Sequence, residues 1–387
     1  MSNQIENSNI LNNNDDIQNI KIYNMYGILD YGNEFNGIGK KYNNGILSYE
    51  GEFSNSVYNG IGKSYYDNGT IYYEGTFKDG NFNGCGKYYY KVDGILYYEG
   101  EFKDGYFNGY GKTYYDDGKK IGYAGEFKNG YFNGNGKMYN DDETLYYEGI
   151  IEYTDNKFNG NGKIYNDYEK IDYEGEFKDF KYDGNGKKYN NDGKLTYEGE
   201  FKDGKYYGNG KEYNNDGKLT YEGEFQDGKY YGNGKKYNND GKLTYEGEFQ
   251  DGKYYGNGTR YKIDGKIGYK GEFKNGEFNG IGKQYNDNEK LHYEGEYKNG
   301  EYSGNGKYYN DGKLVYEGEF KNNKYNGNGK YYNGNGKLYY EGGYKNCQHN
   351  GFGKLYNKDG TLYYEGEFKN GEFNSNGKYY QDDKLYW

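Results

Sequence analysis

Between Leu195 and Phe201 the chain alternates strictly. Leu195, Tyr197, Gly199 and Phe201 fall on one set of positions, and Thr196, Glu198 and Glu200 on the other. A period of two predicts a strand with one aromatic and one acidic face. Asp203-Gly204 follows, a hairpin-turn pair because glycine tolerates φ > 0. Tyr206 to Tyr213 reads as a second strand through Gly208-Asn209-Gly210-Lys211, and Asn215-Asp216-Gly217 turns the chain towards Leu219. Two strands joined by short turns leave no room for a crossover helix, so neighbouring strands are antiparallel.

The unit returns about every 24 residues, with starts at Tyr49, Tyr73, Tyr98, Tyr123, Tyr147, Tyr173, Tyr197, Tyr221, Tyr245, Tyr269, Tyr293, Tyr316, Tyr340 and Tyr364. A fixed period of this size is the signature of a repeat array. The recurrent mid-strand glycines mark close approach by another group. Gly199, Gly208 and Gly210 are expected to leave slots in which aromatic rings lie flat. Together with Tyr197, Phe201, Tyr213 and their equivalents they make the predicted structural seam.

Composition sharpens this picture. Apolar residues are 32% of the chain, below the ~45–50% of ordinary domains, while aromatics reach 21%, with 62 Tyr and 20 Phe. The core is therefore expected to be thin and built of half-buried rings. Residues 1–22 are Asn-, Ser- and Asp-rich without any period, and are expected to be a disordered polar segment. The net charge of −11 argues against nucleic acid and against anionic membrane surfaces. No apolar run is long enough to span a bilayer, and no secretory signal is visible. Cys85 and Cys347 sit far apart along the repeats, which suits a reduced, cytoplasmic setting, with membrane-peripheral attachment as the alternative.

Tyr-Glu-Gly-Glu-Phe, then Asn-Gly-x-Gly-Lys, resembles the MORN repeat, in the variant form common in bacterial and some viral proteins. Here the fifth position is Phe, or Tyr at Tyr297 and Tyr344, where the usual pattern often has Trp. The resemblance covers Tyr26 to Trp387. It makes 23–48 a degenerate first repeat, keeping Asn36-Gly37-Ile38-Gly39-Lys40, and 49–387 fourteen tandem repeats. It implies an all-β, elongated repeat array of antiparallel β-hairpins forming a single twisted sheet. About thirty strands at ~4.8 Å each would extend roughly 140 Å.

The repeat breaks in three places. The copy at Tyr147 carries extra residues and reads as a bulge or kink, and the copy after it has Phe180 where the turn glycine belongs. Cys347-Gln348-His349 replaces another turn. Ser375 to Trp387 ends the array, with Trp387 expected to cap the last seam. Phe180 and Trp387 are the candidate interaction or cap residues.

Motifs that suggest chemistry fall short. Gly111-Lys112-Thr113 has its upstream glycine, Gly105, one position too far for a phosphate loop, and no helix follows. Cys347 and His349 lack the further ligands of a zinc site, and His292 reads as a solvated strand residue. Carboxylate pairs such as Glu198 and Glu200 recur too regularly for a catalytic pair, which needs one desolvated environment. No catalytic residue, cofactor or metal is expected. The sequence points to a non-catalytic scaffold or protein-interaction protein presenting a repetitive acidic and aromatic surface, with weak contacts summed by avidity. A groove lined by Tyr206- and Tyr213-type rings is the expected binding surface, for an extended peptide, a sheet edge or a second copy of the chain. The alternatives are a membrane-associated MORN module and an effector or antitoxin-like binding protein of a bacterial or viral system.

Overall fold

A computed structural model describes residues 20–25, 29–30, 34–154, 157–374, 377–381 and 384–385. Every regular element among them is a β-strand. The fold class is the expected one, an all-β array of antiparallel hairpins. The chain divides into two compact units, one running to Leu195 with Phe201–Gly204 added, the other comprising Thr196–Glu200 and everything from Lys205.

In the first unit Gly37–Asn43 pairs with Ile46–Ser54, which pairs with Val57–Tyr65, and so on in chain order. In the second, Lys205–Tyr213 pairs with Leu219–Gln226 and that with Lys229–Tyr237. The first unit starts earlier than expected. Ile20–Asn24 is a strand paired with Gly37–Asn43, because Ile20 and Ile22 give the end of the polar segment an alternating pattern. The rest of the segment expected to be disordered lies outside the described residues.

The hairpin from Leu219 to Tyr237 shows how sequence becomes structure. Asp227 and Gly228 both have positive φ, 50° and 79°, so the two-residue turn twists with the strands it joins. The Gly228 N–H donates to the Tyr206 carbonyl of the preceding hairpin at 2.9 Å. At the other end Asn238 closes the loop: its side-chain oxygen accepts the N–H groups of Asp240 and Lys242 at 3.0 and 2.9 Å.

The core of each unit is a single layer of rings. Tyr221 and Phe225, four residues apart, are both buried. Tyr221 stacks on Tyr230 with centroids 3.8 Å apart and planes 9° from parallel. Phe225 and Phe249 meet that stack edge-on at 5.0 and 5.3 Å. Tyr98 with Phe107, Phe102 and Phe127 repeats the arrangement in the first unit. Aromatic pairs of this geometry contribute about 0.5–1.5 kcal/mol beyond their burial.

Glycines make the layer possible. Each strand from Gly37–Asn43 to Lys181–Tyr189 carries one glycine paired with the glycine of the next strand, from Gly39↔Gly51 to Gly175↔Gly186. The second unit has the same ladder from Gly210↔Gly223 to Gly353↔Gly366. The Tyr221 ring lies over Gly223 and Gly234, and its hydroxyl donates to the Glu224 carbonyl at 2.9 Å. A Cβ at Gly234 would fall 2.6 Å from Tyr221 Cζ.

The bulge expected at Tyr147 is missing from the hairpin that Tyr147 opens, while towards the preceding strand it has the shift at Met138/Tyr139 that other repeats share. In the Tyr221 hairpin one residue, Glu224, faces three: Tyr231, Gly232 and Asn233. Leu145–Thr154 has two extra residues, which straighten the ladder, so Tyr147↔Ile164 through Thr154↔Lys157 pair without a shift. Ile151 takes the buried Phe position, and Tyr147 meets Phe158 edge-on at 5.5 Å instead of stacking. Asp155 and Asn156 lie outside the described residues.

Candidate interaction face

Of the predicted seam residues, Tyr197 and Phe201 are buried, and Gly199 and Gly210 lie under the Tyr197 hydroxyl. Tyr197 stacks on Tyr206 at 3.7 Å, and Phe201 receives the edge contacts of Tyr173 and Tyr182. Two residues are elsewhere. Gly208, with φ of 56°, is the equivalent of the bulge residue Gly232, and a Cβ on it would fall 2.5 Å from the Glu200 carboxyl carbon, not under a ring. Tyr213 is an odd number of residues beyond Gly210, so strand alternation carries it to the opposite face. Its hydroxyl donates to Glu198 at 2.6 Å. Among the described residues the Tyr206- and Tyr213-type rings lie on opposite faces, so they do not line the expected groove.

The face away from the rings holds the recurrent polar groups, and its two acidic positions do different work. Glu200-type carboxylates turn to the bulge and accept the backbone N–H two residues after the seam ring's neighbour. The bonds are Glu200 to Asn209 at 3.2 Å, Glu224 to Asn233 at 3.0 Å and Glu296 to Asn305 at 3.1 Å. The carboxylate thus satisfies a donor that the bulge removes from the ladder. Glu198-type carboxylates join a charge ladder with lysines of adjacent strands. Lys211 reaches Glu198 at 3.8 Å, Lys283 reaches Glu294 at 3.2 Å, and in the first unit Lys40 reaches Glu50 at 3.1 Å. Each pair is solvated and contributes about 0.2–1 kcal/mol.

Tyrosine hydroxyls tune this ladder. Tyr309 donates to Glu294 at 2.8 Å, and Tyr65 to Glu50 at 2.6 Å. These bonds, reinforced by the neighbouring lysines, hold both carboxyls below the usual carboxylate range. The Tyr213, Tyr309 and Tyr332 hydroxyls are pushed up to about 12, by burial first and then by the carboxylate each one faces.

Between the charge ladder and the bulge residues runs a groove whose floor is the glycine ladder seen from behind. In the second unit it encloses about 830 Å³ from Ile281 to Lys354. Gly282, Gly295, Gly306, Gly318, Gly329, Gly342 and Gly353 form the floor. Lys283, Glu294, Lys307, Glu317, Lys330 and Glu341 form one wall; Ile281, Asn305, Asn328 and Phe352 form the other. The first unit has its own stretch of about 810 Å³, with Met25, Ile38, Ile61 and Cys85 against Lys40, Glu50, Lys63, Glu74, Lys87 and Glu99.

The three breaks have distinct outcomes. Phe180 occupies a turn position at φ 64°, is 63% exposed, and lies over Phe158 with centroids 5.4 Å apart. His349 is a seam ring, stacked on Tyr340 at 3.7 Å, and burial pulls its basicity down. Cys347 takes the turn-glycine position, and its Sγ accepts the Tyr325 N–H at 3.3 Å. Trp387 and Ser375 lie outside the described residues. Among the described residues no group of three His, Cys, Asp or Glu side chains could hold a metal ion, and no helix is long and apolar enough to cross a membrane.

Compared with protein families, the MORN repeat model matches residues 49–71, 73–93, 98–120, 123–144, 197–218, 221–242, 245–267, 269–289, 293–313, 316–338 and 364–384, more than half of the chain. The chain belongs to the MORN repeat family. The MORN matches number eleven and pass over the hairpins at Tyr147, Tyr173 and Tyr340. Those are the hairpins that lack the bulge, carry Phe180 at the turn, or carry Gly343 and Cys347. MORN repeats are commonly protein-interaction or membrane-binding modules, and their scaffold is typically non-enzymatic. No curated protein matches the chain. Among solved structures, a crystal structure of TcdB2-TccC3 matches at 10% identity and a TM-score of 0.13, covering 88% of this chain and 18% of that one. The chain thus spans under a fifth of that protein's length.

Proposed function

We propose that this MORN protein is a non-catalytic interaction protein that binds an extended segment of a partner protein along its polar face. The observation that carries the reading is the glycine-floored groove from Ile281 to Lys354, with alternating lysine and glutamate on one wall. A backbone floor without side chains lets an extended chain lie flat across several strands. The charged wall reads its side chains, and each further repeat adds contacts through effective concentration. The partner's identity is set by charge pattern, which favours zwitterionic segments over strongly acidic or basic ones. The exposed thiols of Cys85 and Cys347 suit a reducing compartment such as the cytoplasm.

The test is a peptide-display selection on the immobilised full chain, repeated with Lys307→Glu/Lys330→Glu. The proposal expects enriched sequences that the double variant no longer holds. Enrichment of nothing, or of sequences indifferent to the charge reversal, would sink it. A membrane-associated reading is favoured by one observation: Met25, Ile38 and Ile61 stand 57–70% exposed along the first unit's groove. Flotation with anionic vesicles at low salt decides that reading, and the net charge of −11 opposes it.

A further inference from the structure

One position on the polar face departs from the rest of the array. It is the residue that follows each seam ring. In the first unit it is Asn59, Asn83, Asn108, Asn133, Asn159 or Asp183. In three consecutive hairpins of the second unit it is Tyr207, Tyr231 and Tyr255, after which small polar residues return with Asn279 and Ser303. Each of these tyrosines comes one residue after Tyr206, Tyr230 or Tyr254. Alternation therefore points it away from the ring layer, onto the face that carries the charge ladder. Tyr231 and Tyr255 sit directly opposite Glu224 and Glu248, in the same register. The three rings are 40, 44 and 41% exposed. They make an evenly spaced aromatic stripe that contributes nothing to the buried seam, since every other repeat manages with a small polar residue there.

The spacing of the stripe is set by the fold. Successive rings are one hairpin apart, which is two strands, or about 9.6 Å across the sheet. A polyproline II helix has three residues per turn and a 3.1 Å rise, so it presents the same side every ~9.3 Å. A proline-rich segment running across the strands would meet one tyrosine per turn. Aromatic-lined surfaces take such segments because the ligand is already ordered and its pyrrolidine rings pack on aromatic faces. A polyproline II backbone has no internal hydrogen bonds, so its carbonyls need donors. Asn209, Asn233 and Asn257, two residues beyond each tyrosine, are exposed beside the stripe and carry carboxamides that can donate. These 387 residues contain no proline, so a second copy of them cannot supply the segment.

We propose that Tyr207, Tyr231 and Tyr255 form a docking stripe for a proline-rich segment in the polyproline II conformation. The inference rests on the reading of the chain as an interaction protein and names one class of partner for it.

The test uses the full chain and a fluorophore-labelled decaproline peptide, read by anisotropy, with a glycine-serine peptide of equal length and a β-1,4-linked glucose hexamer as the comparison ligands. Tyr207→Asn/Tyr231→Asn/Tyr255→Asn installs the residue that most other repeats carry, so the hairpins keep their fold, which circular dichroism verifies. The expected result is saturable decaproline binding that the triple variant weakens about ten-fold or more. The glycine-serine peptide should not bind. No decaproline binding, equal binding by the triple variant, or binding of the glucose hexamer alone overturns the proposal. If groove-dependent peptides are selected while decaproline fails, this inference falls and the interaction reading stands.

Discussion

Gly234→Ala tests the central physical claim, that the glycine ladder exists to seat the tyrosine rings. The added methyl would collide with the Tyr221 hydroxyl and sit 2.6 Å from Cζ. Backbone conformation is not the obstacle, because Gly234 lacks a positive φ. The ring has to move, which sacrifices its 3.8 Å stack on Tyr230 and its 2.9 Å bond to the Glu224 carbonyl. Overpacking costs about 1–3 kcal/mol, the stack about 0.5–1.5 and the hydrogen bond about 1, so the expected loss is about 3–5 kcal/mol. Gly228→Ala is the matched control. That turn glycine has φ of 79° and nothing within 4 Å of its Cβ, so only backbone strain of about 1 kcal/mol is added. Urea unfolding followed by far-ultraviolet circular dichroism measures both. Tyr221→Phe in the Gly234→Ala background removes the oxygen that the methyl strikes. The pair should therefore be coupled by about 1 kcal/mol, less destabilised together than the sum of the singles. If Gly234→Ala costs no more than Gly228→Ala, or the double variant is strictly additive, the rings are not seated on the glycines as argued.

Alkaline pH should unfold the protein through its tyrosines. Burial holds the hydroxyls of Tyr73, Tyr98, Tyr221 and Tyr245 above their ordinary value of 10. Their contribution is complete below pH 10 and is lost as pH rises through the raised folded values. Each ring then costs on the order of 1 kcal/mol by pH 11, so the urea midpoint should fall steadily between pH 10 and 12. Tyrosinate absorbance rising near pH 10 with no loss of structure would contradict this. Tyr309→Phe removes the chief support of the Glu294 carboxylate and should cost about 1 kcal/mol at neutral pH. Because that carboxyl is depressed in the fold, the difference should vanish as pH falls through its titration, and a pH-independent difference would refute the assignment. Phe180→Gly relieves a left-handed phenylalanine of about 1 kcal/mol while losing the ring over Phe158, so stability should change by under about 1 kcal/mol. Phe177→Ala, at a buried seam position, should cost about 3–5 kcal/mol in the same urea assay.

What the sequence revealed was whatever repeats with a simple period. Alternation about Gly199 identified the strand, the aromatic face and the polar face, and Asp203-Gly204 identified the turn. Alternation misled wherever the ladder changes register. Gly232 looks like Gly234 in sequence, yet it relaxes a bulge and accommodates the Glu224 carboxylate, because three residues face one there. Tyr213 matches the seam rings in residue type, although counting from Gly210 places it on the other face. The division of labour between Glu198 and Glu200 was invisible for the same reason: the two are identical by composition and differ only in whether a bulge lies opposite. At Tyr147 the added residues look like a bulge but restore regular pairing in their hairpin, and the shorter copies are the ones bulged there.

These constraints also say where function is free to vary. A seam tyrosine or a ladder glycine touches the ring layer of its own hairpin and the next, so changing either disrupts two neighbours at once. The residue after the seam ring and the residue between the paired glycines touch only the polar face. The first is Asn in most repeats and tyrosine in three; the second is Asn in many and Ile38, Ile61, Cys85, Tyr110, Ile281 or Phe352 elsewhere. Stability in such an array is close to a sum over hairpins and their interfaces, so these exposed positions can change one repeat at a time at almost no cost to the fold. Recognition is therefore expected to be written there, in short runs of consecutive hairpins, and least of all in the Tyr-Glu-Gly-Glu-Phe motif that makes the family recognisable.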